Sequence, residues 1–359
     1  MRQRTKIRKT IMRLLMLVFS IVAAIAFGCQ NSFPGQFQST SFYTANGKLY
    51  DANRSEFIPR GINNLHVWFD DNDDDVKEAF DALEDIAGFG FNSVRVVWQV
   101  EFLGRKTNDA TLEQIIERIV ELNMIPTIGI WDVTGSTDKD AFFNKVVSWW
   151  TDRSKLWQKY ENKVLINIAN EFGDYEMAYK GDRRVFPEIY KEAITRIRDA
   201  GINNTLVIDS FDWSKDYTLI GDFGREIYNH DPKKNVVFDI HFYCGSGEKE
   251  AEITEAFKSI TEQKLPLLVG EFSHMHPMPW VSEEAKCDVK EKFIMSQAQK
   301  YGVGYYAWAW HNKEFSVASD WRATSRRQLT PWGKTLVFDD PNSVVKTAHL
   351  ATVFDRATR

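Results

Sequence analysis

Eight short strand-like runs recur along the chain at residues 60–63, 93–97, 125–130, 164–168, 205–208, 236–240, 267–269 and 304–307. Most are rich in Val, Ile and Leu. Continuous apolar runs of this length predict strands buried on both faces. Between them apolar residues return every three or four positions, over 76–87, 112–122, 141–150, 185–200, 251–263 and 283–301. That period predicts helices. The stretch between Thr205 and Val236 has the weakest helical pattern. Eight strands alternating with helices predict a (β/α)8 TIM barrel. A doubly wound sheet also alternates, but it calls for a Gly-rich phosphate turn after its first strand, and none is present.

The flanks read differently. Asn46-Gly47 sits at the centre of residues 42–50 and predicts a short N-terminal β-hairpin, placed to plug the bottom of the barrel. Residues 341–359 show no strong period and read as a loose C-terminal tail. At the other end, Arg2, Arg4, Lys6, Arg8, Lys9 and Arg13 precede an apolar stretch, 14–27, too short to span a bilayer comfortably. It closes on Gly28-Cys29 and resembles a bacterial lipoprotein signal, with lipid on Cys29 after cleavage; ordinary secretion and an uncleaved anchor are the alternatives. The expected organisation is a signal at 1–28, a tether at 29–41, one catalytic barrel at 42–340 and the tail. The barrel is expected to be exported, monomeric and in contact with a membrane only through that lipid.

Charge narrows the class of partner. Residues 1–28 hold six basic and no acidic residues, so the remainder carries 39 basic against 50 acidic residues, a net charge of −11. No basic patch with interleaved aromatics remains, which excludes nucleic acid as the expected partner. The 12 Trp and 14% aromatic content suit a core, but also a cleft where flat rings stack on sugars. Beyond Cys29 the only cysteines are Cys244 and Cys287. Export permits a bridge between them, and their spacing alone leaves the pairing open.

The chemistry sits at the strand ends. Glu171 closes Asn167-Ile168-Ala169-Asn170-Glu171, and Glu271 closes Leu268-Val269-Gly270-Glu271. In a parallel barrel that end is the catalytic face. Two carboxylates brought together there are the minimum for cleaving a glycosidic bond. Arg95, His241, Tyr243 and Trp308 end neighbouring strands and point to the same mouth.

These motifs, in this order, resemble family 5 of the glycoside hydrolases and, within it, the bacterial β-mannanases. The resemblance is carried by Arg60-Gly61-Ile62-Asn63 with His66 and Trp68, Asn92-Ser93-Val94-Arg95, Ile166 to Glu171, Val207-Ile208-Asp209-Ser210, Ile240-His241-Phe242-Tyr243, Val269-Gly270-Glu271-Phe272, Ala307-Trp308-Ala309-Trp310 and Leu329-Thr330-Pro331-Trp332-Gly333. It implies an endo-acting hydrolase that cleaves β-1,4-mannosidic bonds in mannan-type polysaccharides with retention, without cofactor or metal. Glu271 would be the nucleophile and Glu171 the acid/base. Arg95 and Tyr243 would keep Glu271 ionised, His241 would orient Glu171, Asn170 would donate to the sugar 2-hydroxyl, and Trp308 would floor the cleavage site. His66 and Trp131 complete the expected sugar-binding set. A β-1,4-glucanase of the same fold and a non-catalytic glycan-binding surface protein are the alternatives.

One position departs from the family pattern. Trp131 stands after strand 3 where the family usually carries His, which puts the preferred sugar and the depth of the cleft in question. The Phe172-Gly173-Asp174-Tyr175 stretch also differs from the branch's usual loop. Trp68, Trp213 and Trp280 lie in strand-to-helix loops and could stack on sugar or simply pack. Trp149 and Trp150 read as core. The acidic run Asp70 to Asp75 lacks the Gly and Glu of a calcium loop and reads as a helix cap. His274 and His276 flank the nucleophile loop and read as substrate contacts or packing residues rather than metal ligands.

Overall fold

The computed structural model describes residues 41–72, 77–278, 281–282 and 285–355. The expected signal, Cys29, nearly all of the expected tether and Trp280 lie outside them. Eight parallel strands close a barrel: β1 (Arg60–Asn64), β2 (Ser93–Trp98), β3 (Ile125–Ile130), β4 (Leu165–Asn167), β5 (Leu206–Asp209), β6 (Val236–Phe242), β7 (Leu267–Phe272) and β8 (Gly304–Ala307), each paired to the next and β8 to β1. Every residue of these strands is buried, which is why the runs read as continuously apolar.

Most expected helices form close to their predicted bounds, at Glu78–Gly88, Asp109–Glu121, Val185–Asp199 and Glu250–Thr261. The poorly patterned stretch after β5 holds a full helix, Tyr217–His230. Gly221 and Gly224 lower its intrinsic propensity, and its buried face, with Leu219, Ile220 and Ile227, offsets the loss. The segment expected to be helical over 283–301 is helical only from Glu291 to Tyr301. Its earlier part forms the strand Lys286–Asp288, antiparallel to Met275–Pro277. A disulfide joins Cys244 to Cys287 with a Cα separation of 5.8 Å and pins this small ribbon to the loop after β6.

The barrel interior is divided along its axis. Its lower half is apolar: Ile125, Leu165, Val207, Val237, Leu268 and Tyr306 pack with Phe42, Leu49 and Phe57. The last three belong to the N-terminal hairpin (Tyr43–Ala45 with Lys48–Tyr50) and its flanks, so the hairpin does close the bottom. The Tyr306 hydroxyl ends this half, bonded to Ser93 Oγ at 2.7 Å and Thr127 Oγ1 at 2.6 Å. Above it the inward positions become polar.

The expected loose tail is a correction, since its described part, up to residue 355, is packed. Ala351 joins the apolar floor, with Val353 and Phe354 against it. The backbone carbonyl of His349 accepts from Asn92 Nδ2 at 2.8 Å, and Thr347 Oγ1 accepts from Arg60 Nε at 3.0 Å. The tail uses scattered anchors rather than a periodic face, so no period shows. Buried Asp51 ties it to the hairpin, accepting from the Asn53 and Ser55 amides with one oxygen and from the Thr352 amide and hydroxyl with the other. Replacing Asp51 by Ala strands those donors. The expected result in thermal or urea unfolding is a loss of about 2 kcal/mol, with the kinetic constants of the folded enzyme unchanged.

Candidate active site

Glu171 is turned into the mouth by its backbone. The chain leaves β4 after Asn167, the Asn170 amide donates to Ile130 O at 2.7 Å, and Glu171 takes φ of 48°. A non-glycine residue in this left-handed region costs of order 1–3 kcal/mol and persists only when its surroundings hold it. Two bonds do so. The Glu171 amide donates to Asp209 Oδ2 at 2.8 Å, and the Glu171 carbonyl accepts from the Gly135 amide at 2.8 Å.

Glu271 is aimed by a bulge. Ile240 pairs with Val269 and His241 with Glu271, so Gly270 is the extra residue on β7. The Gly270 amide donates to Asp239 Oδ1. A Cβ on Gly270 would lie 2.0 Å from Asp239 Oδ2, so no side chain fits there.

Arg95 on β2 stands beneath both acids, fully buried. Nη1 donates to Glu271 Oε1 at 2.9 Å and to Asn63 Oδ1 at 2.9 Å; Nη2 donates to Asn167 Oδ1 at 2.8 Å and Asn170 Oδ1 at 2.6 Å. Gly129 leaves the space for it: a Cβ there would meet Asn167 Oδ1 at 2.9 Å and Arg95 Cζ at 3.6 Å. The Tyr243 hydroxyl donates to the other Glu271 oxygen at 2.8 Å. His241 Nδ1 lies 2.8 Å from Glu171 Oε1 and 3.9 Å from Glu271 Oε2. Oxygens of Glu171 and Glu271 lie within 4.8 Å of each other.

The electrostatics follow from burial. Burial pushes the Glu271 carboxyl up; His241, Arg95 and the Tyr243 hydrogen bond oppose it, while the Glu171 charge adds to it. Burial, Glu271 and Glu171 hold Tyr243 well above the ordinary phenol range, so its hydroxyl stays a donor. Burial and the Asp239 charge raise Asp209.

A cavity of about 640 Å³ lies over the two acids, walled by Trp131, Trp213, Lys215, Tyr243, Cys244, His276, Trp308, Asn312 and Phe315. Trp308 lines it, while Trp310 is core, donating Nε1 to Trp321 O. Trp131 stacks on Trp308 with centroids 5.2 Å apart and planes 21° apart, and Trp68 meets it edge-on at 5.9 Å. Trp213, held between Asp212 and Ser214 with all three in the left-handed region, is exposed on the Glu171 side. Trp149 and Trp150 are core, as expected.

Several residues expected to touch sugar are buried and do not wall the cavity. His66 is wholly buried, with Nδ1 2.5 Å from Asp70 Oδ2 and Nε2 3.3 Å from Asn64 Nδ2, and it does not line the cavity. Asp70, four residues on, claims it. Arg95 and His241 are also fully buried and reach the carboxylates rather than the open space. Asn170 is buried too, its Oδ1 taken by Arg95 and its Nδ2 donating to Thr134 Oγ1 at 3.0 Å. His274 packs on Trp332, whereas His276 faces the cavity beside Tyr243. From the acidic run, Asp70 Oδ1 accepts from the Phe80 amide in the first turn of the Glu78–Gly88 helix, a capping bond. Asp239 was not expected, although an acid on the same strand face as His241 marks a buried network; Lys215, Asn312 and Phe315 carried no signal.

Two carboxylates this close suit attack by one of them on the anomeric carbon, and are nearer than the roughly 6.5–9.5 Å that inversion requires. The barrel and this pair define a glycoside hydrolase of the retaining geometry. The family model Cellulase (glycosyl hydrolase family 5) matches residues 50–314, and the chain belongs to this family. It is 30% identical over 319 residues to a mannan endo-1,4-beta-mannosidase of Salipaludibacillus agaradhaerens, covering 87% of this chain and 96% of the relative. The mannotriose complex of the Thermomonospora fusca β-mannanase superposes with a TM-score of 0.74 at 28% identity, covering 88% of this chain and all of that one. The Streptomyces thermolilacinus β-mannanase with mannohexaose gives 0.76 at 26% identity, covering 89% and 99%.

Removing the Tyr243 hydroxyl takes a donor from the ionised form of Glu271. Tyr243→Phe should therefore raise the affinity of Glu271 for its proton. The expected outcome is a fall in kcat/KM of about 10²-fold and a shift of the acidic limb of its pH profile to higher pH. An unmoved acidic limb would show that the hydroxyl does not support the ionised carboxylate.

Proposed function

We propose that this chain hydrolyses β-1,4-mannosidic bonds in mannan-type polysaccharides by double displacement, acting within the polymer as a monomer. The observation that carries the proposal is the unequal treatment of two neighbouring carboxylates. Glu271 is gripped by Arg95 and Tyr243, both donors suited to an anion. Glu171 is touched by His241 and borders the open cavity.

In the first step Glu171 gives its proton to the glycosidic oxygen while Glu271 attacks the anomeric carbon. The leaving sugar departs and a glycosyl ester forms on Glu271. Esterification removes the Glu271 charge, so Glu171 ionises more easily and takes a proton from the attacking water. Trp308 supplies the flat surface for the sugar at the cleavage point. Trp213, on the side of Glu171, supplies one for the leaving portion.

The mannan preference is supported by the activities in the names of the relatives and by the mannooligosaccharides in the similar structures. Trp131 favours a second reading, cleavage of β-1,4-glucan, because an indole fills the position where the family usually offers a histidine. Product release from glucomannan, galactomannan and carboxymethylcellulose, measured in parallel, separates the two. High activity on carboxymethylcellulose alone would overturn the mannan assignment. Export with lipid attachment at Cys29 is part of the proposal; it rests on the N-terminal sequence and fits the Cys244–Cys287 bridge, a feature of oxidising compartments.

The two roles are distinguished by azide. With an activated aryl glycoside, Glu271→Ala should be rescued to give the inverted α-glycosyl azide. Glu171→Ala should give the retained β-glycosyl azide. Exchanged stereochemistry would reverse the assignments.

A further inference from the structure

Beneath the catalytic pair lies a second pair of acids that double displacement does not call upon. β5 carries Asp209 and β6 carries Asp239, both fully buried. Asp239 and His241 are two residues apart on one strand and so share its inward face. His241 uses Nδ1 on Glu171. Its Nε2 has no hydrogen-bond partner and lies 3.7 Å from Asp239 Oδ2, which has none either. Two buried polar atoms, each without another partner, face each other across this gap. An unpaired group in such a place is costly, and a proton on Nε2 sets opposite charges across the gap.

Asp209 is the other acid in reach, with Oδ2 3.9 Å from Nε2. Its oxygens are engaged, however, by Asn167 Nδ2 at 2.6 Å and the Glu171 amide at 2.8 Å. Asp239 has one oxygen occupied, by the Gly270 amide, and the other free for the imidazole. The space for that carboxylate exists because the bulge residue of β7 is glycine.

We propose that Asp239 is a positioning residue for the acid/base: it holds a proton on Nε2 of His241, keeping the imidazole doubly protonated so that Nδ1–H donates to Glu171 throughout the cycle. The inference rests on the acid/base role of Glu171. The Nε2 proton stays in place in both steps. Glu171 alone gives a proton to the leaving oxygen and takes one from water. The fixed positive charge matters most in the second step. Once Glu271 is esterified, its charge no longer opposes ionisation of Glu171, and the imidazolium favours the carboxylate that must act as base.

The groups facing His241 are consistent with this. Glu171 approaches from the loop after β4, Asp209 from β5, Asp239 from β6 and Glu271 from β7; the Arg95 cation on β2, bonded to Glu271, works against them. Tyr243 follows on its own strand, and Tyr190 lies behind the two Asp residues on the Val185–Asp199 helix. Burial works against charge on His241; Glu271, Asp239 and Glu171 outweigh it and lift its proton affinity well above that of an ordinary histidine. Burial, Asp209 and Asp239 likewise keep the Tyr190 phenol protonated.

The test compares the unmodified enzyme with Asp239→Asn. Side-chain 15N NMR of the unmodified enzyme should show His241 as imidazolium throughout the pH range of activity, and a neutral ring at the pH of maximal activity would overturn the proposal without any variant. In Asp239→Asn the ring should become neutral, and Glu171 should then hold its proton to higher pH. The alkaline limb of kcat/KM on mannan, which needs protonated Glu171, should move up by about one unit. With a 2,4-dinitrophenyl β-mannobioside, whose leaving group needs no acid, the second step limits kcat; its acidic limb should also move up, and kcat should fall about tenfold. KM should change little. Unmoved limbs with His241 still charged in the variant would refute the role of Asp239. The azide stereochemistry of Glu171→Ala is independent of this result, so a reversed acid/base assignment is distinguishable from a failed Asp239 inference.

Discussion

A guanidinium sealed inside the barrel is the constraint on which this site depends. Arg95 has no exposed atoms to speak of, and its charge is compensated by Glu271 at hydrogen-bond distance and Asp209 at 3.9 Å. Removing one partner of such a buried pair leaves an uncompensated charge, which is strongly destabilising. The surrounding sequence is therefore committed to it. Asn63, Asn167 and Asn170 each contribute a side-chain oxygen to the guanidinium, and Gly129 contributes the absence of a side chain. These residues come from the first four strands and the turn that follows the fourth, so the charge at the centre also fixes the strands' relative heights at the catalytic end.

The two carboxylates are held by different means, and the difference suits their different tasks. Glu271 is fixed by its side chain, with a donor on each oxygen. Glu171 is fixed by its backbone, in a conformation most residues avoid, while one side-chain contact goes to a titratable ring. An anion that must attack in a set direction benefits from the first arrangement. A group that must change protonation state twice per turnover benefits from the second. The strained backbone at Glu171 is sustained by Asp209, so the lower pair of acids serves both the geometry and the charge balance of the upper pair.

Much of this was legible because a Glu does not close a run of buried-strand character without cause, and two did so in the sequence. The barrel followed from eight runs buried on both faces. What escaped notice was set by tertiary context. The Tyr217–His230 helix contains two glycines and is stabilised by the face it buries. The strand at Lys286–Asp288 is held by partners elsewhere in the chain, one of them a disulfide, which no local period reveals. His66 was expected to touch sugar, yet Asp70 one turn later binds it within the protein. The C-terminal segment looked loose because single anchors hold it. Asp239 was readable in principle, since an acid in the run 236–240 sits on the same strand face as His241, but only the orphaned atoms around it show what it does.

The Tyr306 hydroxyl marks a boundary with consequences for how the protein tolerates sequence change. Below it, Ile125, Leu165, Val207 and Leu268 interlock by shape alone, and one branched hydrocarbon can replace another at small cost. Above it, even an Asp-to-Asn exchange, nearly perfect in volume, alters the charge or donor pattern of a sealed lattice. Evolutionary drift is thus expected to be nearly free on one side of a single phenol oxygen and nearly forbidden on the other, within strands only a few residues long.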